Sequence, residues 1–132
     1  MNGFIVESSN KPGEIARVTE ALSAKGINIT SCACVGYGER GAMGVLTNDE
    51  QGTRSAFDDA GISYREVELV SFAIPDRPGT LAEASRRLAD AGVNIELLLP
   101  TGMSGSDVSI AAGVDNAAAA RDALKEFATV RA

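Results

Sequence analysis

The stretch N-K-P-G-E-I-A at residues 10–16 decides the fold, because it returns as D-R-P-G-T-L-A at residues 76–82, 66 positions later. The same offset continues without a gap, since G-I-N-I at residues 26–29 returns as G-V-N-I at residues 92–95. A repeat that fills half of a 132-residue chain must be one supersecondary unit used twice.

Two domains are therefore predicted, 1–66 and 67–132, and hydrophobic periodicity indicates the same order of elements in both. The predicted strands lie at 4–8, 27–35, 42–47 and 62–66, with helices from Pro12 and at 50–60; their repeats are strands at 70–74, 93–99, 108–114 and 128–132, with helices from Pro78 and at 116–127. The order strand, helix, strand, strand, helix, strand is the split βαβ, ferredoxin-like plan. We expect an α+β fold of two tandem ferredoxin-like βαββαβ units, with antiparallel sheets and the helices on one face.

Apolar spacing also predicts the core. The first helix of each repeat carries apolar residues at i, i+3 and i+7, namely Ile15, Val18 and Leu22, and then Leu81, Ala84 and Leu88. Gly26 and Gly92 follow these helices, where glycine favours a left-handed C-cap. Alternation in the next strand assigns to the core face Ile27, Ile29, Ala33 and Val35, and in the second repeat Val93, Ile95, Leu97 and Leu99.

Composition excludes several classes of protein. Apolar residues make up 45% and charged residues 23%, which indicates a packed globular fold. The formal charge of −6, from 12 Lys and Arg against 18 Asp and Glu, repels phosphate backbones and anionic surfaces, so we expect no nucleic-acid and no membrane partner. No apolar run reaches the ~18 residues that span a bilayer, and no signal peptide is evident, so we expect a cytoplasmic protein.

The chain contains no histidine, so the commonest general base and the commonest transition-metal ligand are both absent. Cys32 and Cys34 would lie on one face of a strand about 6.5–7 Å apart, near or beyond the usual disulfide span, so we expect reduced thiols that pack near an interface. We predict no catalytic residue, no metal site and no cofactor.

A glycine-rich segment, G-Y-G-E-R-G at residues 36–41, matches the dinucleotide-binding pattern. That pattern requires a helix after the glycines, whereas residues 42–47 are predicted to be a strand. We therefore interpret the segment as a hairpin turn.

Taken together, the repeated residues resemble a known family. An Asn/Asp-x-Pro-Gly turn, an apolar residue two positions after its glycine, and a Gly-Ile/Val-Asn-Ile run 13 residues after that glycine occur twice here. This combination resembles the ACT domain over nearly the whole chain. ACT domains are small ferredoxin-like modules that bind amino acids or similar ligands and regulate an enzyme, commonly pairing side by side with ligands between units. The resemblance implies a sensor or regulatory subunit without catalytic activity.

The chemistry of the Pro-Gly turn fits an amino-acid ligand. Backbone N–H groups at a helix start bind a carboxylate, and asparagine oxygens accept hydrogen bonds from an ammonium. The predicted ligand-binding residues are Asn10, Pro12, Gly13, Glu14, Ile15, Asn28 and Ile29 in the first repeat, and Asp76, Pro78, Gly79, Thr80, Leu81, Asn94 and Ile95 in the second.

In family members such as the regulatory domain of phosphoglycerate dehydrogenase, residues matching Asn10 and Asn28 hold the amino acid and come from opposite units of a pair. The resemblance therefore implies composite sites that combine Asn10 with Asn94 and Asp76 with Asn28.

The sequence also departs from that family pattern. The family's histidine is replaced here by Ser8 and Ile74, so the identity of the ligand does not carry over. Because Glu14 matches Thr80, we expect a carboxylate ligand to be disfavoured near Glu14 and the two sites to be unequal.

Purely structural interpretations stay open beside the functional ones. Asn10 and Asp76 can cap a helix or form an Asx turn, and a backbone bond can satisfy Asn28 and Asn94. The alternative for the whole chain is a structural adaptor that binds no ligand and mediates assembly with a metabolic enzyme. As partners we expect an amino acid, a second copy of the chain in a homodimer, and a separate enzyme of amino-acid metabolism.

Overall fold

The computed structural model describes residues 1–129 of the chain. It divides into two compact units, the first formed by Asn2–Glu66 and the second by the chain from Val67 onward together with Met1. That residues 1–66 and 67–132 are two independent domains stays a prediction.

The first unit contains three antiparallel strands and two helices before the chain enters a shared strand. Its elements are β1 (Asn2–Ser9), α1 (Glu14–Ala24), β2 (Ile29–Tyr37), β3 (Arg40–Thr47) and α2 (Glu50–Asp59). Strand β3 pairs with both β1 and β2, which gives the order β2-β3-β1. The chain passes from the first unit to the second within β4 (Arg65–Pro75).

The second unit continues from β4. Its further elements are α3 (Thr80–Asp90), β5 (Ile95–Ser104), β6 (Asp107–Val114), α4 (Ala117–Ala123) and β7 (Ala128–Thr129). All pairings are antiparallel, in the order β5-β6-β4-β7. Residues 1–129 thus form a mixed α/β fold with antiparallel strands and four helices. Across those residues, no helix has the length and apolar character needed to cross a membrane.

Each unit has its own apolar core. In the first unit, strand residues pack with the inner faces of both helices: Phe4, Val6, Met43 and Val45 with Val18, Leu22, Ala56 and Phe57. In the second unit the corresponding set is Val70, Phe72, Ile74, Ile110 and Ala112 with Ala84, Leu88, Ala117 and Ala120. The register pairs Phe4 with Val45 and Val6 with Met43, so these side chains share one face of the sheet.

The helix starts differ slightly from the prediction. Helices α1 and α3 begin one residue after Gly13 and Gly79, whose φ angles of 93° and 92° are left-handed and incompatible with a right-handed helix. Pro12 and Pro78 therefore lie in the preceding turn. The predicted core positions of both helices are buried except for Ile15 and Leu81, which are 41% and 40% exposed.

The predicted alternation of β2 is wrong beyond Ile29. The register shifts between Ile29 and Ser31, which is the signature of a β-bulge, and a bulge moves later side chains to the other face. Ala33 and Val35 are consequently exposed and outside the core. The same shift occurs between Ile95 and Leu97, so that Leu98 packs against the core of the second unit, whereas the predicted residue Leu99 is buried at 1% exposure outside that cluster.

The other predicted elements are mostly confirmed. The strand predicted at 62–66 is confirmed only at Arg65 and Glu66, because β4 begins at Arg65 and continues without a break through the strand predicted at 70–74. Helix α4 ends at Ala123, before the predicted residue 127. Of the strand predicted at 128–132, Ala128–Thr129 forms β7, and the remainder lies outside the described residues.

Candidate functional site

The start of α1 carries no side-chain cap. Gly13 is its N-cap residue and has no side chain to cap the helix, and the Glu14 N–H donates to Lys11 O at a long 3.4 Å. The start of α2 is different, because the Asp49 carboxylate accepts a hydrogen bond of 2.8 Å from the Gly52 N–H. Since the first N–H groups of a helix have no intrahelical acceptor, the start of α1 is a place where an anion can bind.

The second unit repeats this contrast. Helix α3 follows Gly79 without a side-chain cap, whereas the Asn116 side chain accepts a hydrogen bond of 3.1 Å from Ala119 N–H at the start of α4. The two Pro-Gly loops therefore share one backbone arrangement, and the caps occur only on the other helix of each unit.

Asn10 is built into the β2–β3 hairpin. Its Nδ2 donates to Gly38 O at 2.9 Å, and its backbone N–H donates to Glu39 O at 2.9 Å. The amide oxygen Oδ1 is thus the part of the side chain that can accept a hydrogen bond from a ligand. Asn10 does not cap α1, so its capping interpretation is wrong.

Gly36 makes room for Asn10. A Cβ atom on Gly36 would lie 2.7 Å from Asn10 Nδ2, which is closer than such atoms approach in proteins. Gly36 is not among the site residues that the sequence predicts. The glycine-rich hairpin signalled a turn, but the contact with Asn10 depends on the fold.

A cavity lies between this loop, the first turn of α1 and the hairpin. Its volume is about 130 Å³, and it is lined by Ser8, Ser9, Asn10, Lys11, Glu14, Ile15, Cys34, Val35, Gly36, Gly41 and Ala42. Pockets for drug-sized ligands usually measure roughly 300–1,000 Å³, so this cavity suits a small metabolite. Three predicted site residues line the cavity, Asn10, Glu14 and Ile15, and the predicted Gly13 lies directly before Glu14 as the N-cap of α1.

The charge of Glu14 is offset by neighbouring cations. Its carboxylate lies 3.7 Å from Lys11 Nζ and 3.2 Å from an Arg17 guanidinium nitrogen. A partly neutralised carboxylate repels an anionic ligand less than an isolated one does. Glu14 therefore repels a carboxylate ligand less strongly than the sequence alone predicts.

In the second loop, Thr80 has a structural role. Its hydroxyl is oriented towards Pro75 O at 2.7 Å and Arg77 O at 3.0 Å, and the residue is only 6% exposed. The backbone N–H of Asp76 donates to Ser106 O at 3.3 Å, which joins this loop to the β5–β6 turn. The Thr80 side chain therefore fastens the loop and is not presented to a ligand.

Asn28 lies far from Asn10 within its own unit. Asn10 follows the end of β1, opposite Arg40, whereas Asn28 precedes Ile29, which is paired with Thr47 at the other end of β3. Seven residues of strand separate these ends by about 24 Å. The Asn28 N–H donates to the side-chain oxygen Asn48 Oδ1 at 3.1 Å, and the Asn28 carbonyl oxygen accepts a hydrogen bond from the Asn48 N–H at 3.1 Å.

Asn94 repeats this placement in the second unit. Its N–H donates to Asp115 Oδ1 at 2.9 Å, and it lies at the opposite end of β6 from Asp76. Ile29 and Ile95 are partly buried against the two cores. The composite pairs Asn10 with Asn94 and Asp76 with Asn28 stay predictions.

Both cysteines are free thiols on β2. Partial burial raises the pKa of the Cys34 thiol above its usual value, and the neighbouring Cys32 raises that pKa further. A raised pKa reduces the thiolate fraction and with it the nucleophilicity at neutral pH. Within residues 1–129, no group of three or more Cys, Asp or Glu side chains is arranged to hold a metal ion.

Several solved structures share this fold. A protein from Bacteroides thetaiotaomicron aligns with a TM-score of 0.80 and 21% sequence identity, over 98% of this chain and 90% of that one. The regulatory subunits of aspartate kinase from Thermus thermophilus and Thermus flavus align with TM-scores of 0.65 and 0.63 and identities of 22% and 20%. Both alignments cover 95% of this chain, and 89% and 90% of the respective subunits.

No protein-family model matches the sequence, and no curated protein matches it. At identities near 20%, structural likeness shows a common fold. This chain accordingly has the fold of the regulatory subunits of aspartate kinase.

Proposed function

We propose that this chain is a regulatory protein of the ACT type, built from two ferredoxin-like units, that binds a free amino acid or a related small metabolite and catalyses no reaction. The observation that carries the proposal is the uncapped start of α1, whose residues Glu14 and Ile15 line a cavity of about 130 Å³. The repetition of the uncapped Pro-Gly turn in the second unit supports it.

The groups around the cavity match the parts of an amino acid. The N–H groups at the start of α1 and the nearby Lys11 ammonium would bind the carboxylate. Asn10 Oδ1 would accept a hydrogen bond from the ammonium, since Nδ2 is already used by Gly38 O. Ile15 and Val35 supply apolar wall for a small side chain.

The partner would be a separate enzyme of amino-acid metabolism. The structures that share the fold include subunits described as regulatory for aspartate kinase, which supports action on an enzyme. Composite sites made from Asn10 with Asn94 and Asp76 with Asn28 would require two units, either of one chain or of two chains in a homodimer.

A thermal-shift panel of the twenty amino acids tests ligand binding. A ligand at ~100 times its dissociation constant stabilises the native state by about 2.7 kcal/mol, which raises the Tm of a chain of this size by several degrees. We expect one or a few chemically related amino acids to produce this rise, and Asn10→Ala to abolish it.

Asn116→Ala is the matched control. It removes the cap of α4 in the other unit, which costs about 1 kcal/mol of stability but leaves the first loop intact. This variant should melt earlier and still respond to the same amino acid. Equal responses from wild type and Asn10→Ala would refute the assignment of the site.

The adaptor alternative rests on the exposed residues of β2. Val35 is 65% exposed and Tyr37 is 87% exposed, so this strand offers apolar surface to a protein partner. A protein that binds its enzyme partner but responds to no amino acid would favour the adaptor.

A further inference from the structure

Cys34 is part of the cavity wall. It lies on β2 opposite Met43 of β3, on the face of the sheet that packs against the helices. It lines the cavity together with Asn10, Glu14 and Ile15. Because the thiol is also exposed to solvent, a small reagent in solution can reach it.

Cys32 provides an internal comparison. It lies on the same strand and the same face, opposite Val45, and its thiol is also free and exposed. The residues that line the cavity include Cys34 but not Cys32. The two thiols therefore differ in whether they line the cavity.

We propose that Cys34 is a covalent modification site at which a small disulfide forms an adduct that fills the cavity and prevents ligand binding. Only the last step, loss of ligand binding, rests on the proposed function. A cavity of about 130 Å³ has little space for both an adduct on its wall and a ligand.

The reaction is a thiol–disulfide exchange. The Cys34 thiolate attacks one sulfur of the disulfide R–S–S–R, the S–S bond breaks, and a mixed disulfide Cys34–S–S–R forms. The leaving thiolate RS⁻ takes up the proton that Cys34 released. Cys34 is oxidised while the reagent is reduced to one equivalent of RSH, and an excess of free thiol reverses the step.

The position of Cys32 explains why the adduct would persist. To displace it, Cys32 would have to form a disulfide with Cys34 two residues along one strand, across about 6.5–7 Å. That separation lies at or beyond the upper end of disulfide geometry, so internal resolution is disfavoured. The raised pKa of Cys34 lowers its thiolate fraction at neutral pH and slows the exchange, so the modification requires an excess of the disulfide.

Two single variants test the proposal, because each leaves one of the two cysteines. Cys32→Ser and Cys34→Ser are each treated with 2-hydroxyethyl disulfide until mass spectrometry shows one adduct. Amide hydrogen exchange of residues 8–15 is then measured, followed by the amino-acid thermal-shift panel. We expect the adduct on Cys34 to change exchange in residues 8–15 and to abolish the amino-acid response, and excess thiol to restore both.

The adduct on Cys32 should change neither property relative to the unmodified Cys34→Ser protein, which is the reference because Cys34 itself lines the cavity. Equal exchange patterns for the two adducts, or an amino-acid response that survives on modified Cys34, would overturn the proposal. If the unmodified protein responds to no amino acid, the proposed function fails, and the exchange comparison by itself still decides whether an adduct on Cys34 occupies the cavity.

Discussion

The side chain of Asn10 donates a hydrogen bond to Gly38 O, 28 residues further along the chain, and lies against Gly36. Neither contact follows from local propensity. Asn10 was identified from the repeated turn, but the residues that hold its side chain belong to a hairpin whose glycines indicated only a change of direction. Sequence predicts a loop of this kind well and its long-range support poorly.

Gly36→Ala should displace the Asn10 side chain. The new Cβ would lie 2.7 Å from Asn10 Nδ2, and the end of a side chain moves more easily than backbone. The loss of an exposed hydrogen bond, about 0.5–1.5 kcal/mol, is partly offset by the stabilising effect of Gly→Ala, about 0.4–1 kcal/mol. We therefore expect a Tm close to that of wild type together with loss of the amino-acid response.

A double-mutant cycle with Asn10→Ala provides the control. If Gly36 acts through Asn10, Gly36→Ala no longer breaks the hydrogen bond once the Asn10 side chain is removed, and only the stabilising effect of Gly→Ala, about 0.4–1 kcal/mol, remains. An equal effect of Gly36→Ala in both backgrounds would show that the glycine acts on something else.

At the scale of elements, the sequence predicts the positions of the turns well, but the strand alternation that it predicts for β2 and β5 does not continue past the bulges. Gly13 and Gly79 adopt the conformation that only glycine reaches easily, so both helices begin directly after them and not at the prolines where the sequence predicts their start. The bulges after Ile29 and Ile95 carry no distinct sequence signal, and they reverse the alternation that predicted the core face. The sequence predicts separate strands at 62–66 and 70–74, but one continuous strand, β4, begins at Arg65 and joins the two repeats.

The start of α3 depends on the Thr80 hydroxyl, which holds the end of β4 to the helix through Pro75 O and Arg77 O. Thr80→Val keeps the shape of the side chain but leaves the part-buried loop carbonyls without this donor. We expect the free energy of unfolding in urea to fall by about 1–2 kcal/mol.

Thr80→Ser distinguishes the contribution of the hydroxyl from that of the methyl group, because serine keeps only the hydroxyl. This variant retains the donor and should recover most of the stability lost in Thr80→Val. A Thr80→Ser protein as unstable as Thr80→Val would mean that packing of the methyl group, and not hydrogen bonding, holds the loop.

At the scale of the whole molecule, each unit contains an ion pair that joins segments distant in sequence. In the first unit the Arg54 guanidinium donates two hydrogen bonds to the Glu66 carboxylate, one of them 3.0 Å long. In the second unit Arg87 lies 2.7 Å from Glu126. The hydrogen bond from Arg54 lowers the pKa of Glu66, and the hydrogen bond from Arg87 lowers the pKa of Glu126.

These lowered pKa values make the stability of the protein depend on pH in the acidic range. The folded protein holds the Glu66 proton less tightly than the unfolded chain, so the contribution to stability is present above the ordinary carboxyl pKa of 4.5. It is lost as the pH falls below that value and through the lower pKa of the folded state. Glu66→Gln removes this titration, so we expect the variant to be less stable than wild type at pH 7 and the difference to shrink towards pH 3.

Thermal melts at intervals between pH 3 and pH 7 measure that difference directly. Glu20→Gln, which changes an exposed carboxylate on α1 with the same chemistry, is the matched control and should follow the wild-type curve closely. A Glu66→Gln deficit that stays constant over this range would mean that the Arg54 pair contributes through geometry and packing alone. A deficit that vanishes in acid would assign part of the acid sensitivity of the first unit to the Glu66 charge.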